Sequence, residues 1–120
     1  MKKILIVDDA SFMRKILKKI LSGQGYEIIA EAEDADTGID AYKKNQPDLT
    51  TMDICMPKKS GIEAIKEIKE FDKKANILVC SALGQELLVM EAIEAGAKDF
   101  IVKPFKKDDI IETVQKVLSN

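Results

Sequence analysis

The chain of 120 residues has no histidine and no tryptophan, and only 2 cysteines and 3 prolines. Without histidine, neither a His-based catalytic triad nor a Cys/His zinc site can be built. Cys55 and Cys80 are too few for a disulfide framework and form no CxxC pair, so a reducing compartment is expected. No window approaches the ~20 apolar residues that span a bilayer. The apolar run Ile4 to Val7, interrupted at once by Asp8, is too short for the core of a signal peptide. A cytoplasmic protein with no membrane association follows. Charge of one sign is also missing: 19 Lys and Arg face 21 Asp and Glu, for a formal charge of −2, and neither sign gathers into a block. Nucleic acid is therefore not expected as a direct ligand.

What is present is an ordinary globular mixture, 46% hydrophobic and 33% charged, at a length that buries roughly two-thirds of the unfolded surface. Short apolar runs alternate with amphipathic segments. The runs Lys3–Val7, Glu27–Ala32, Leu49–Met52, Ile77–Cys80 and Phe100–Val102 read as strands. Between them, Ser11 is placed to cap a helix with Met13, Ile16, Leu17, Ile20 and Leu21 on one face, ended by a left-handed Gly23. A second, weaker helix spans about Thr37 to Lys44. A third starts near Ser60-Gly61 and carries Ile62, Ile65 and Ile68. A fourth runs from about Gln85 to Ala95 and stops at Gly96, and a fifth repeats at Ile110, Ile111, Val114, Val117 and Leu118. Five strands alternating with five helices predict an α/β fold, a parallel doubly wound sheet in the order 2-1-3-4-5, flavodoxin-like. With no Ser/Gly linker, low-complexity stretch or internal repeat, residues 1–120 are expected to form a single domain.

In such sheets ligands bind outside the carboxyl ends of the strands, where the chain reverses direction. At those ends stand Asp8 and Asp9, Asp53, Ser81 and Lys103. Clustered carboxylates raise one another's pKa values unless a cation joins them, and oxygen donors without imidazole or thiolate suit a hard ion such as Mg²⁺. A cation and a hydroxyl facing the same place suit an anionic group rich in acceptor oxygens, and phosphoryl fits. Asp53, between the acidic pair and the lysine, is the best nucleophile. Taken singly each residue has a plainer explanation: Asp8 and Asp9 as helix-capping or solvated carboxylates, Asp53 and Ser81 as turn residues, Lys103 as a surface cation. Their coincidence at four of the five strand ends favours the shared pocket.

Val7-Asp8-Asp9, Met52-Asp53-Ile54-Cys55-Met56-Pro57 with Gly61 following, Ser81-Ala82 and Lys103-Pro104-Phe105 together resemble the signature set of two-component response-regulator receiver domains, over the whole chain. The resemblance implies a phosphoprotein whose Asp53 is the phosphoacceptor, served by a histidine kinase, with Mg²⁺ held by Asp9, Asp53 and the Cys55 backbone carbonyl and supported by Asp8 through water. It further implies that Lys103, Ser81 and the Ala82 backbone contact the phosphoryl group and that the Lys103-Pro104 peptide is cis. Phe100 would turn inward as Ser81 moves toward the phosphate, although a plain strand aromatic is an equal reading.

Ala10-Ser11-Phe12-Met13-Arg14 and the segments around Ser81 and Ala97–Phe105 look most like the stand-alone chemotaxis regulators. Such a protein is a monomeric switch that catalyses only its own phosphoryl transfer and dephosphorylation. It binds a downstream motility or switch protein through the face of its fourth helix, fifth strand and fifth helix. Those regulators often carry Tyr where this chain has Phe100, so no phenol hydroxyl is available for target contact. Cys55 and Leu83, two residues beyond Asp53 and Ser81, would flank the water that attacks the acyl phosphate and bind it poorly, or serve only as loop packing. Slow to moderate self-dephosphorylation and a separate phosphatase are expected. Other readings are a phosphorelay intermediate, a metal-dependent phosphohydrolase, which would want a second acid at Cys55, and a scaffold that is never phosphorylated. A flavin carrier would place an FMN phosphate against Asp8 and Asp9, which repel it.

Overall fold

The computed structural model describes residues 1–119. Its elements follow the order β1 (Lys3–Val7), α1 (Ser11–Gly23), β2 (Glu27–Ala32), α2 (Ala35–Asn45), β3 (Leu49–Asp53), α3 (Gly61–Phe71), β4 (Ile77–Ser81), α4 (Glu86–Ala95), β5 (Asp99–Val102) and α5 (Lys107–Leu118). The strands form one parallel sheet in the order β2-β1-β3-β4-β5. The doubly wound architecture read from the sequence is the one observed.

Period-two alternation explains how one sheet feeds two cores. Leu5, Val7, Met52, Ile77 and Val79 point to one face, where α2, α3 and α4 cover them with Ile39, Tyr42, Ile65, Ile68 and Ala92. Ile4, Ile6, Leu49, Leu78 and Cys80 point to the other, against Leu17 and Leu21 of α1 and Ile110, Val114 and Val117 of α5. The three central strands are thus largely apolar on both faces; Thr50 and Thr51 are buried within β3, and the charged residues stand where the strands enter or leave the sheet.

Three helix ends depart from the sequence reading. Ser11 is not the cap of α1. Ala10 holds that position in extended conformation with no side-chain hydrogen bond to the first turn, and its own N–H donates to Asp8 Oδ1, two residues earlier, at 2.9 Å. Gly23 does not end α1 in the left-handed region. It stays helical, and Gly25 (φ +88°) makes the reversal, with Gly25 N–H donating to Ser22 O at 3.1 Å and Tyr26 N–H to Leu21 O at 3.2 Å. That pair of bonds is a Schellman closure, which needs the glycine two residues later than the sequence pattern suggests. Helix α2 starts two residues ahead of Thr37, because Asp34 accepts the Thr37 N–H at 2.8 Å and so caps the helix earlier.

Candidate functional site

Asp8 leaves β1 still tied to the sheet, its N–H donating to Ala32 O at 3.0 Å. Arg14 reaches back from the first turn of α1 to donate to the Asp8 carbonyl at 2.7 Å while pairing with Glu31 at 3.3 Å, so the exit of β1 is held from two sides. Asp8 is buried and Asp9 exposed. On the neighbouring strand Asp53 is 7% exposed, and the Ile54 N–H continues the pairing by donating to Cys80 O at 3.1 Å. Ser81, buried, closes β4, and its carbonyl accepts the Lys103 N–H at 2.7 Å. The Lys103-Pro104 peptide is cis.

These exits bring the side chains together. Oxygens of Asp8, Asp9 and Asp53 lie within 4.8 Å of one another. Lys103 Nζ stands 2.9 Å from Asp8 Oδ2 and 3.4 Å from Asp53 Oδ1. Burial, reinforced by the negative charge of Asp8 and opposed by Lys103, pushes the Asp53 carboxyl up to about 6. Lys103 is itself held above the usual lysine value: burial acts against its charge, but Asp8 and Asp53 outweigh it. One ammonium for three carboxylates leaves the pocket short of positive charge, and its donors are all oxygens. The residues present fit a hard divalent cation.

Helix α3 is pressed onto this pocket. The Gly61 N–H donates to Ile54 O at 2.8 Å, and a Cβ at Gly61 would run into the Asp53 carbonyl oxygen. Only glycine lets the helix begin there. In the loop between, Lys58 adopts φ +71° and Lys59 bridges Asp36 at 2.8 Å and Glu67 at 2.6 Å, tying the loop to α2 and α3. Cys55 lies in the same loop, exposed.

On the other side, Ala82 opens the loop into α4. Leu83 is strongly exposed, and Phe100 is turned outward beside a groove of about 240 Å³ lined by Ser81, Ala82, Val89, Met90 and Val102. Two contributors escaped the sequence reading. Arg14 gives no signal beyond a charged position on an amphipathic helix. Gln85, half-buried, takes the Ala82 N–H on its Oε1 at 2.7 Å, an uncharged contact with no motif of its own.

Residues 4–115 match the family model for the response regulator receiver domain. The chain belongs to the response regulator receiver family. It is 54% identical over 117 residues to the chemotaxis protein CheY of Bacillus subtilis, covering 98% of each chain. To the CheY of Thermotoga maritima it is 53% identical over 116 residues, covering 97% of each. Among solved structures it resembles the CheX-CheY-BeF3-Mg²⁺ complex from Borrelia burgdorferi, with a TM-score of 0.92 at 41% identity, over 97% of this chain and 88% of that one. It is a receiver domain of the CheY type, a class of signalling proteins rather than metabolic enzymes. No helix among the described residues is long and apolar enough to cross a membrane.

Proposed function

We propose that this receiver is a chemotaxis switch that accepts a phosphoryl group on Asp53 from a phosphohistidine of a partner kinase. The observation that carries this is the cluster of Asp8, Asp9 and Asp53 with Lys103 set between two of the three carboxylates. Asp9, Asp53 and the Cys55 carbonyl would hold Mg²⁺, with Asp8 in support. When bound, the ion offsets the charge of the carboxylates and of the incoming phosphoryl oxygens.

In the transfer, a carboxylate oxygen of Asp53 forms the new P–O bond as the donor's P–N bond breaks, and the leaving imidazole takes a proton from solvent. Lys103, already at the Asp53 carboxylate, moves its charge onto the phosphoryl oxygens. The Ser81 hydroxyl and the Ala82 N–H supply the remaining donors. Ser81 moving toward the phosphate vacates space into which the outward-facing Phe100 turns, filling the groove beside α4. That motion alters the face of α4, β5 and α5, where Leu87, Met90, Ile93 and Phe100 are exposed for a motility or switch protein. Cys55 and Leu83 bind an attacking water poorly, which makes the phosphoryl group long-lived and gives a phosphatase its role. The setting is a monomeric, cytoplasmic, single receiver over residues 1–120.

Intact mass after incubation with a small-molecule phosphodonor tests this. One added phosphoryl group that requires both Mg²⁺ and Asp53 is expected. A folded protein with no adduct under any condition would remove Asp53 as the acceptor.

A further inference from the structure

Gln85 occupies the position before α4, and its carbonyl accepts the Val89 N–H at 3.0 Å as a helix cap does. Its side chain does not cap α4. The carboxamide turns back over the loop, where Oε1 accepts the Ala82 N–H at 2.7 Å and Nε2 donates to Cys55 Sγ at 3.1 Å. One side chain therefore joins the loop that follows β3, the strand of Asp53, to the loop that follows its neighbour β4. The N–H it holds is the donor that the proposed function gives to the phosphoryl oxygens.

We infer that Gln85 is a positioning residue that latches the resting pocket: its carboxamide fills the Ala82 N–H until a phosphoryl oxygen displaces it. The inference rests on the phosphoacceptor reading above. An N–H offers one proton to one good acceptor, so the two occupants exclude each other. A phosphoryl oxygen is charged and outcompetes a neutral carboxamide oxygen, yet the exchange still costs the bond that is broken. A carboxylate in the same place would add a fourth negative charge to the pocket; a carboxamide satisfies the donor without doing so. Displacement also releases the Cys55 contact and the residue at which α4 begins. Phosphorylation is thereby linked to the start of the helix that carries Leu87 and Met90.

The test uses beryllium fluoride as the phosphoryl stand-in, titrated at saturating Mg²⁺ into the wild type, Gln85→Ala and Gln85→Met, and followed by amide NMR. Methionine keeps the length of the side chain and removes the acceptor. In the free proteins the Ala82 amide proton is expected to move upfield in both variants. The half-saturating concentration should fall about two- to tenfold in both, the equilibrium worth of one neutral hydrogen bond. An Ala82 resonance that is the same in all three proteins overturns the latch, as does an unchanged half-saturation in folded variants. A fall in the alanine variant alone would assign the effect to bulk and overturn it too. A wild type that takes up no beryllium fluoride brings down the phosphoacceptor reading itself, and this inference with it.

Discussion

The two edges of the sheet are built from similar residue types and finish in opposite states. At the amino-terminal edge Asp48 accepts the Lys3 N–H on Oδ2 at 2.7 Å, returns its own N–H to Lys3 O at 2.8 Å, and gives its carbonyl to Asn76 Nδ2 at 3.0 Å. One carboxylate and one carboxamide thus tie together the starts of β1, β3 and β4. At the carboxyl-terminal edge three carboxylates share one ammonium, and Asp53 is pushed up to about 6 by burial and by Asp8. The difference lies in what the carboxylates meet: a backbone amide at one end, one another at the other. Excess charge inside a fold is a binding site waiting for its counterion.

The contrast is broken most completely at Asp53. Asp53→Asn should abolish phosphoryl incorporation in the mass experiment while Asp48→Asn leaves it intact, and incorporation in both would erase the functional distinction between the edges. Next comes the ammonium. Removing it with Lys103→Met leaves Asp8 and Asp53 buried without a cation, and metal-free stability should drop by about 2 to 4 kcal/mol in urea unfolding with chelator, a loss that Mg²⁺ narrows. A variant as stable as the wild type would mean that Lys103 is not what balances the pocket.

Acidity sharpens the comparison further. The Asp53 carboxyl is pushed up to about 6 in the fold from an ordinary carboxyl value of 3.8, so between these values the native state binds more protons than the unfolded one. Stability of the metal-free protein should therefore decrease as pH rises from about 4 to 7, by up to roughly 3 kcal/mol. Asp53→Asn should remove that decline and be the more stable protein at neutral pH; a decline of equal size in the variant would place the titrating group elsewhere. Smallest is the closed edge, where Asp48→Ala is expected to cost about 1 kcal/mol with no dependence on Mg²⁺, read from the same unfolding curves.

The acidic edge was legible because each apolar run is halted by a residue that chemistry can use, as Val7 is by Asp8 and Met52 by Asp53, and because a parallel sheet sends all such exits the same way. Helix ends were less legible. The Ser11 cap failed because the helix already begins at Ser11, with Ala10 in the cap position and its N–H turned back to Asp8 Oδ1, which only the geometry of the turn reveals, and Gly23 lost its role to Gly25 because α1 runs on through Gly23 and reverses at Gly25, where Tyr26 bonds Leu21. Gln85 and Arg14 could not be found by pattern at all. Each reaches a backbone group as well as a side chain, and neither the identity nor the spacing of a residue records which carbonyl or amide it will meet.

The sheet order has a temporal meaning as well. β5 is the last strand made and lies at the edge beside β4, yet it delivers the ammonium to a pocket whose carboxylates come from β1 and β3. At the usual pace of synthesis, the 50 residues from Asp53 to Lys103 take about 3 to 10 seconds to appear. During that interval Asp8 and Asp53 lack the ammonium that stands beside both of them in the finished fold. The charge balance of the pocket is therefore completed only when the last strand is in place.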